Sequence, residues 1–270
     1  MKIACTGANG YVGKALVCSG VFPLNCDVTN SFEVEKAVRE VKPDIILHLA
    51  AKSDVDWCEE PVNKGAAIKV NFGGTRNVAE VSKLLNIPFV LFSTAQIWKG
   101  GFWERDHKEH AKKTPPVNVY GMTKLGAEMV AESYGGNIIR SSFIFDHQRL
   151  APKLNRIKDG EILCEPTFIR RSFIYLGDFV DMVLQYCEKF DSMPKILHLA
   201  GSETESWYDF MYEVAKRYGL NPSAIRSRRR EERGFAPRPH NAGLDTYLAR
   251  SLGFRVPDYM DGIKRMTNEI

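Results

Sequence analysis

The feature that most constrains the fold is a glycine-spaced turn close to the start of the chain. An apolar segment at 2–6 predicts a β-strand, and Gly7, Gly10 and Gly13 follow it at a three-residue spacing. Glycines here allow a tight turn, a close approach of phosphate to the backbone and close packing of the next helix on the strand. That helix, predicted over 11–17, begins with free N–H groups that suit an anion. The turn therefore predicts a dinucleotide-binding βαβ unit.

Short apolar runs alternate with helical patterns through the first half of the chain. The runs at 45–49 and 89–93 are continuous, which is typical of strands buried on both faces of a sheet. Helices are predicted at 32–41, 61–85 and 117–134. This alternation indicates a parallel sheet covered on both sides. The predicted fold class is therefore α/β, a Rossmann-like doubly wound parallel sheet.

The regular alternation weakens beyond residue 146. A strand at 196–200 is followed by predicted helices at 207–218 and 244–252, which indicates a smaller C-terminal α/β lobe. The predicted division is a dinucleotide-binding domain of 1–146, to which 172–201 returns, and a substrate-binding lobe of 147–171 and 202–270.

Composition excludes several classes of protein. The chain is 44% hydrophobic and 26% charged, and no apolar run approaches the roughly 20 residues that cross a membrane. A net charge of +4 does not indicate nucleic acid, and the basic cluster at 226–233, interrupted by Glu231 and Glu232, is interpreted as solvated. Six scattered cysteines predict reduced thiols, and no signal-peptide pattern begins the chain. A cytoplasmic protein without membrane or nucleic-acid partners is predicted.

A tyrosine and a lysine are spaced for proton transfer. Tyr120 and Lys124 lie at i and i+4, on one face of the predicted helix. A phenol titrates near pH 10, and a neighbouring ammonium lowers its pKa toward neutrality. Thr94 ends a predicted strand, at the edge where open α/β sheets bind ligands. Thr94 is therefore predicted to hydrogen-bond a reacting oxygen, with a strand-end cap as its alternative role.

A polar segment at 100–116 separates that strand from the helix and is long enough to be functional. His107 and His110 within it have the HxxH spacing of some metal sites. No further ligands lie near them in the sequence, so the segment is interpreted as a solvated loop and no metal is predicted.

These motifs resemble the extended short-chain dehydrogenases/reductases, and within them the dTDP-4-dehydrorhamnose reductase branch, over nearly the whole chain. The spacing Gly-x-x-Gly-x-x-Gly is the form found in that superfamily. The segment at 116–124 matches its active-site helix, and 70–77 matches its Val-Asn-x-x-Gly-x-x-Asn helix. Segments 27–30, 46–51 and 238–241 carry further similarity.

The resemblance implies a catalytic group of Thr94, Tyr120, Lys124 and Asn71. Tyr120 would protonate the C4 oxygen of a nucleotide-linked 4-keto-6-deoxy sugar while hydride arrives from a nicotinamide. Asn71 would help to hold the site geometry or a water relay. The cofactor would be NADP or NAD. Its implied contacts are Gly7, Asn9, Gly10, Tyr11, Val12, Gly13, Asp27, Val28, Ala50, Ala51, Lys52 and Lys124.

Four residues are implied to contact the substrate. Arg171 and Arg238 would hold its diphosphate, because a guanidinium binds such an anion in a bidentate way; ordinary surface arginines are the alternative. Gln96 and Phe143 stand where the reductases usually carry Tyr and Trp, so both are expected to alter the choice of sugar. The Asp that precedes that Tyr in the reductases is replaced by Ala95, and the missing acidic pair argues against a dehydratase.

Several alternatives stay open. An epimerase is one, because 171–175 resembles the Arg-Asp-Phe-aliphatic-Tyr segment of those enzymes, and a non-catalytic NADP-binding regulatory subunit is another. The segment 14–25 is too short for a full helix, strand and crossover, so an early strand is missing or reduced. Asp27 could bind the ribose, although the resemblance places it nearer the adenine, and NAD and NADP are not distinguished. A homodimer is expected from the wider superfamily.

Overall fold

A six-stranded parallel sheet forms the centre of the molecule. The computed structural model describes residues 1–104, 106–228 and 236–268. The strands of this sheet are β1 Ile3–Thr6, β2 Phe22–Pro23, β3 Ile45–His48, β4 Phe89–Thr94, β5 Asn137–Ser141 and β9 Ile196–His198. Their order is β2-β1-β3-β4-β5-β9, and every neighbouring pair is parallel. The order reverses between β1 and β3, which is where such sheets bind ligands beyond their carboxyl ends.

Helices cover both faces of the sheet. Cys5 and Leu47 face a core with α1 Tyr11–Cys18 and α8 Leu176–Glu188, whereas Ala4 and Ile46 face the opposite core. That second core is closed by α2 Ser31–Val41, α5 Gly74–Leu85 and α6 Val119–Ser133. The structure therefore confirms the predicted α/β class and the doubly wound sheet. The remaining helices are α3 Val55–Glu59, α4 Lys64–Ile68, α7 His147–Lys158, α9 Trp207–Arg217, α10 Tyr247–Ser251 and α11 Tyr259–Asn268.

A smaller lobe packs against the carboxyl edge of the sheet. Its strands are β6 Phe143–Phe145, β7 Leu163–Pro166, β8 Arg170–Tyr175, β10 Thr204–Ser206, β11 Ile225–Arg228 and β12 Asn241–Ala242. β8 pairs with β6, β10 and β12, while β7 and β11 form a separate parallel pair. Phe173 and Phe210 stack in the core of this lobe with ring centroids 3.9 Å apart.

Local departures from the sequence prediction have identifiable causes. The long helix at 61–85 is divided into α4, a π-helical turn Lys69–Gly73 and α5. The predicted shortening of the early strand is confirmed, because β2 has only two residues. α10 begins later than predicted because Leu244 pairs with His107 in a short parallel bridge. The solvated-loop interpretation is wrong for His107, which is buried and stacks on Trp98 with centroids 4.4 Å apart.

Two further predictions concern the basic cluster and membrane-spanning helices. Part of the basic cluster at 226–233 lies outside the described residues, which resume at 236. Among the helices that the structure describes, none has the length and apolar character required to cross a membrane.

Replacing Gly13 with alanine tests the glycine turn. A methyl group at Gly13 would lie 2.2 Å from the Gly7 carbonyl oxygen, so the G13A protein should unfold at a lower denaturant concentration and bind dinucleotide more weakly. Gly65 in α4 is the matched control, because a methyl group there has no atom within 4 Å. G65A should be neutral or stabilising by about 0.5–1 kcal/mol. Equal destabilisation by both changes would contradict the packing argument. Urea titrations and dinucleotide fluorescence provide the measurements.

Candidate active site

A cavity of about 550 Å³ opens at the carboxyl ends of β1, β3, β4 and β5. It brings together most of the residues predicted from the sequence. The predicted residues that line it are Gly7, Gly10, Tyr11, Val12, Gly13, Ala51, Thr94, Gln96, Tyr120, Lys124, Phe143, Arg171 and Arg238. The glycine turn, the tyrosine–lysine pair and the two arginines therefore share one cavity.

Six predicted residues do not line this cavity. Asp27 lies on the surface, where its carboxylate accepts the Thr29 N–H at 2.9 Å, a bond that holds its pKa below the usual value. Val28 is buried against Gly74. The others are Asn9, Ala50, Lys52 and Asn71. Roles for all six stay predictions.

The glycine turn is shaped for a close ligand. Gly7 has a φ of +69°, and a methyl group on it would lie 2.7 Å from the Ala50 nitrogen, so only glycine fits. Gly10 is the N-cap of α1 and provides no side chain to satisfy the first N–H groups of that helix. These N–H groups and the positive end of the helix dipole face the cavity. The turn therefore fits the diphosphate of a dinucleotide.

Tyr120 is held against the end of β4. Gly121 allows this approach, since a methyl group there would lie 2.3 Å from the Gln96 carbonyl oxygen. The Thr94 side chain lies close enough to the Tyr120 phenol to lower its pKa, and the Thr94 hydroxyl accepts the Gln96 N–H at 3.2 Å. Thr94 thus also caps the short helical turn Ala95–Ile97, the alternative weighed from the sequence.

Burial raises the pKa of Tyr120 to about 12, and two neighbours oppose that effect. They are the hydrogen bond from Thr94 and the positive charge of Arg149. Burial also lowers the pKa of Lys124, one turn along α6, to about 8, against the opposing charge of Glu128. Burial therefore moves the two pKa values apart, and the phenol of Tyr120 stays protonated near neutral pH, as a proton donor must be.

A buried ion pair supports the catalytic helix from behind. Arg140 on β5 donates two hydrogen bonds of 2.8 Å to the Glu128 carboxylate, and both side chains are fully buried. Although burial raises the pKa of Glu128, the Arg140 hydrogen bonds and charge outweigh it and lower the pKa. Because Glu128 lies one turn beyond Lys124, this pair fixes α6 on the sheet.

Asn71 belongs to a continuous hydrogen-bond network beside the cavity. It lies in the π-helical turn, where its side chain accepts the Lys52 N–H at 2.7 Å and donates to the Thr123 hydroxyl at 2.9 Å. Thr123 in turn donates to the Tyr120 carbonyl oxygen. Asn71 therefore joins the segment after β3 to the helix that carries Tyr120.

His48 connects the same turn to β1. Thr75 donates to the Asn71 carbonyl oxygen, so it must accept the proton on Nε2 of His48 at 3.0 Å. Nδ1 of His48 is then unprotonated and accepts from Thr6 at 2.8 Å. Burial, with the charge of Lys124, lowers the pKa of His48 to about 3. A neutral imidazole therefore links the glycine turn to the catalytic face.

The two predicted substrate arginines are held by different partners. Arg238 forms a bidentate pair with the Asp56 carboxylate at 2.9 and 2.7 Å. A further N–H of Arg238 donates to the Ala236 carbonyl oxygen. Arg171 is buried and donates to the Arg170 and Pro239 carbonyl oxygens. Neither is the ordinary surface arginine of the alternative interpretation.

Several residues of the cavity were not predicted from the sequence. Arg149, Ser141 and Trp207 line it, and Ser141 Oγ has no hydrogen-bond partner among the described residues. Asn118 caps α6 and also bonds the Gln96 side chain and the Pro237 carbonyl oxygen, which ties the catalytic helix to the Arg238 segment. Asn118 lies within the segment 116–124 that matches the active-site helix, so that motif could have pointed to it.

Comparisons with known proteins agree with this geometry. The dTDP-4-dehydrorhamnose reductase of Sinorhizobium fredii is 28% identical over 98% of this chain and 96% of its own length. A crystal structure of that reductase from Bacillus anthracis, in complex with NADP, covers all of both chains with a TM-score of 0.89 and 26% identity. A UDP-glucose 4-epimerase from Thermus thermophilus, with 17% identity and a TM-score of 0.75, shares the fold alone.

The fold and the site define an extended short-chain dehydrogenase/reductase, which confirms the resemblance drawn from the sequence. The family model described as RmlD substrate binding domain matches residues 1–270. The chain therefore belongs to the RmlD substrate binding domain family.

The pKa of His48 gives a testable pH dependence. An unfolded histidine titrates near pH 6.5, whereas folded His48 stays neutral to about pH 3. Between these values only the unfolded state binds the proton, so the free energy of unfolding falls as the pH falls, by at most about 1.4 kcal/mol per pH unit. H48N should have a shallower slope from pH 6.5 to 4, measured by urea titration. H110N, at an exposed histidine, should keep the wild-type slope. An unchanged slope in H48N would contradict the neutral imidazole.

Proposed function

We propose that this protein reduces a nucleotide-linked 4-keto-6-deoxy sugar with a nicotinamide dinucleotide, as a dTDP-4-dehydrorhamnose reductase. The observation that carries the proposal is that Thr94, Tyr120 and Lys124 line the same cavity as the glycine turn. The names of its relatives and the NADP complex of the similar structure support the substrate and the cofactor. Either NADP or NAD fits the contacts of the described residues.

The chain supplies the binding and proton-transfer parts of the reaction. When bound, the reduced nicotinamide supplies the hydride. The N–H groups of the glycine turn and of α1 hold the dinucleotide diphosphate, and Lys124 binds beside it. Thr94 orients the substrate oxygen, and Tyr120 gives its phenolic proton to that oxygen as negative charge develops there. Asn71 keeps the Tyr120 helix in register with the segment after β3.

The substrate nucleotide extends toward the smaller lobe. A second cavity of about 570 Å³ shares Trp207 and Arg238 with the first. Phe168 offers it an aromatic surface and Arg156 a positive charge. Together with Arg171 and Arg238, these groups suit a nucleoside diphosphate. We propose that 1–146 with 172–201 binds the dinucleotide and that 147–171 with 202–270 binds the substrate. β6 and most of β8 fall in the first of these ranges but pair within the sheet of the smaller lobe.

Removal of the Tyr120 hydroxyl tests the reaction. Y120F should lower kcat by at least about 100-fold, because general acid catalysis contributes 10²–10⁴-fold, while NADPH binding persists. Y212F is a matched control, since Tyr212 and Lys216 repeat the i, i+4 spacing on α9 away from the cavity. Oxidation of NADPH is followed at 340 nm with a dTDP-4-keto-6-deoxy sugar.

The same assay separates the rival activities. Full activity in Y120F would contradict the proposed proton donor. Conversion of a nucleotide sugar without net consumption of NADPH would indicate an epimerase. Binding of NADPH with no turnover of any keto sugar would indicate the regulatory subunit.

We further propose that the protein forms a homodimer in the cytoplasm. Phe72 packs over Gly126, and Met122 and Met129 flank that glycine on the same face of α6. The three apolar side chains are between 40% and 62% exposed, which is the character of an interface. All six cysteines are free thiols, which fits a reducing compartment.

Placing a charge on that face tests the dimer. M129E should convert a dimeric wild-type protein to monomer in sedimentation equilibrium, because a carboxylate buried between two copies lacks a partner. M260E, at an exposed methionine of α11, should leave the mass unchanged. A monomeric wild-type protein at micromolar concentration would contradict the proposal.

A further inference from the structure

Arg149 is a cavity residue to which the proposed reaction has so far given no role. It lies in the first turn of α7, where its backbone N–H donates to Asp146 at 2.8 Å. Its side chain lines the cavity that also contains the glycine turn and Tyr120. The helix cap therefore fixes the backbone from which this guanidinium enters the site.

Two aromatic rings hold the guanidinium of Arg149. Its Cζ atom lies 5.0 Å from the ring centroid of Tyr11 and 4.4 Å from that of Phe143. Tyr11 is the first residue of α1, and Phe143 is the first residue of β6 in the smaller lobe. A cation held over ring faces in this way is attracted by the rings without using a hydrogen-bond acceptor. Arg149 is thus placed between the two parts of the molecule.

The count of hydrogen-bond donors separates Arg149 from the other cavity arginines. A guanidinium has five N–H donors. Arg149 uses one of them, toward the Ile144 carbonyl oxygen at 3.2 Å, and no ion pair among the described residues involves it. Arg238 uses three donors and Arg171 uses two. Arg149 therefore has the largest unused donor capacity of the three.

The charge of the cavity shows what kind of ligand would use those donors. Four cationic side chains line it, namely Lys124, Arg149, Arg171 and Arg238. Among the described residues, Asp54 is the one carboxylate that lines it, and Asp56 pairs with Arg238 from outside. Asp146, which faces Arg149 from its own helix, does not form an ion pair with it at 4.0 Å or less. Such a cavity suits a ligand with several negative charges.

We propose that Arg149 binds a diphosphate oxygen of one of the two ligands, an inference that rests on the proposed function for the identity of those ligands. The dinucleotide is the favoured source, because Arg149 lies over the ring of Tyr11, the first residue of α1. The N-terminus of α1 is the proposed binding point of the dinucleotide diphosphate. The diphosphate of the nucleotide sugar is the other source. Arg149 would then join the dinucleotide-binding turn to the smaller lobe when ligand is bound.

Binding measurements on charge variants test this assignment. Dissociation constants for NADPH and for dTDP are measured separately, by fluorescence and by calorimetry, in R149Q and R149K. R149Q should raise the dissociation constant of one of the two ligands at least 10-fold. R149K should raise that constant less, because lysine keeps the charge but lacks the planar set of N–H donors. K158Q is the matched control, since Lys158 ends the same helix on the surface and the change removes the same charge.

The ligand whose binding weakens in R149Q identifies the partner of Arg149. Weaker NADPH binding assigns Arg149 to the dinucleotide, and weaker dTDP binding assigns it to the nucleotide sugar. Dissociation constants within twofold of wild type for both ligands would overturn the assignment. If R149Q does not fold, R149K carries the same test. A wild-type protein that binds both ligands but reduces no keto sugar would contradict the proposed function and leave the assignment of Arg149 standing.

Discussion

The close backbone contact between the glycine turn and the end of β3 is the constraint on which the rest of the site depends. Gly7 and Ala50 approach so closely that no side chain fits between them, and Gly13 lies directly against the Gly7 carbonyl oxygen. This packing places the N-terminus of α1 at the position where the strand order reverses. Every other functional group is arranged around that opening.

A buried polar network carries this constraint to the catalytic helix. Thr6, His48, Thr75 and Asn71 form a chain in which each donor has an acceptor, provided that His48 stays neutral. Because unsatisfied buried polar groups are costly, such a chain has one stable arrangement. Asn71 lies in the π-helical turn, and its side chain bonds Lys52 and Thr123, which belong to other segments of the chain. Rigidity at the site therefore comes from hydrogen bonds rather than from apolar packing alone.

Sequence reasoning succeeded where a local pattern has a local physical cause. Alternating apolar runs predicted the central sheet, and the glycine spacing predicted the tight turn between β1 and α1, since both patterns reflect backbone geometry within a few residues. It failed for His107, which reads as a polar loop residue but is buried by a pairing with Leu244, more than 130 residues further along the chain. It also gave Asp56 no role, although this carboxylate holds the guanidinium of Arg238 in a bidentate pair.

The sequence by itself determined the fold class, the dinucleotide turn and the positions of Thr94, Tyr120 and Lys124, because strand, turn and helix signals each lie within short segments. Only the tertiary structure decided which cations converge on the cavity and what each one binds. Arg149, Arg171 and Arg238 come from three separate segments, and their remaining donors depend on partners distant in sequence. Long-range pairing of this kind leaves no periodic signal, since it is set by how the smaller lobe packs on the sheet.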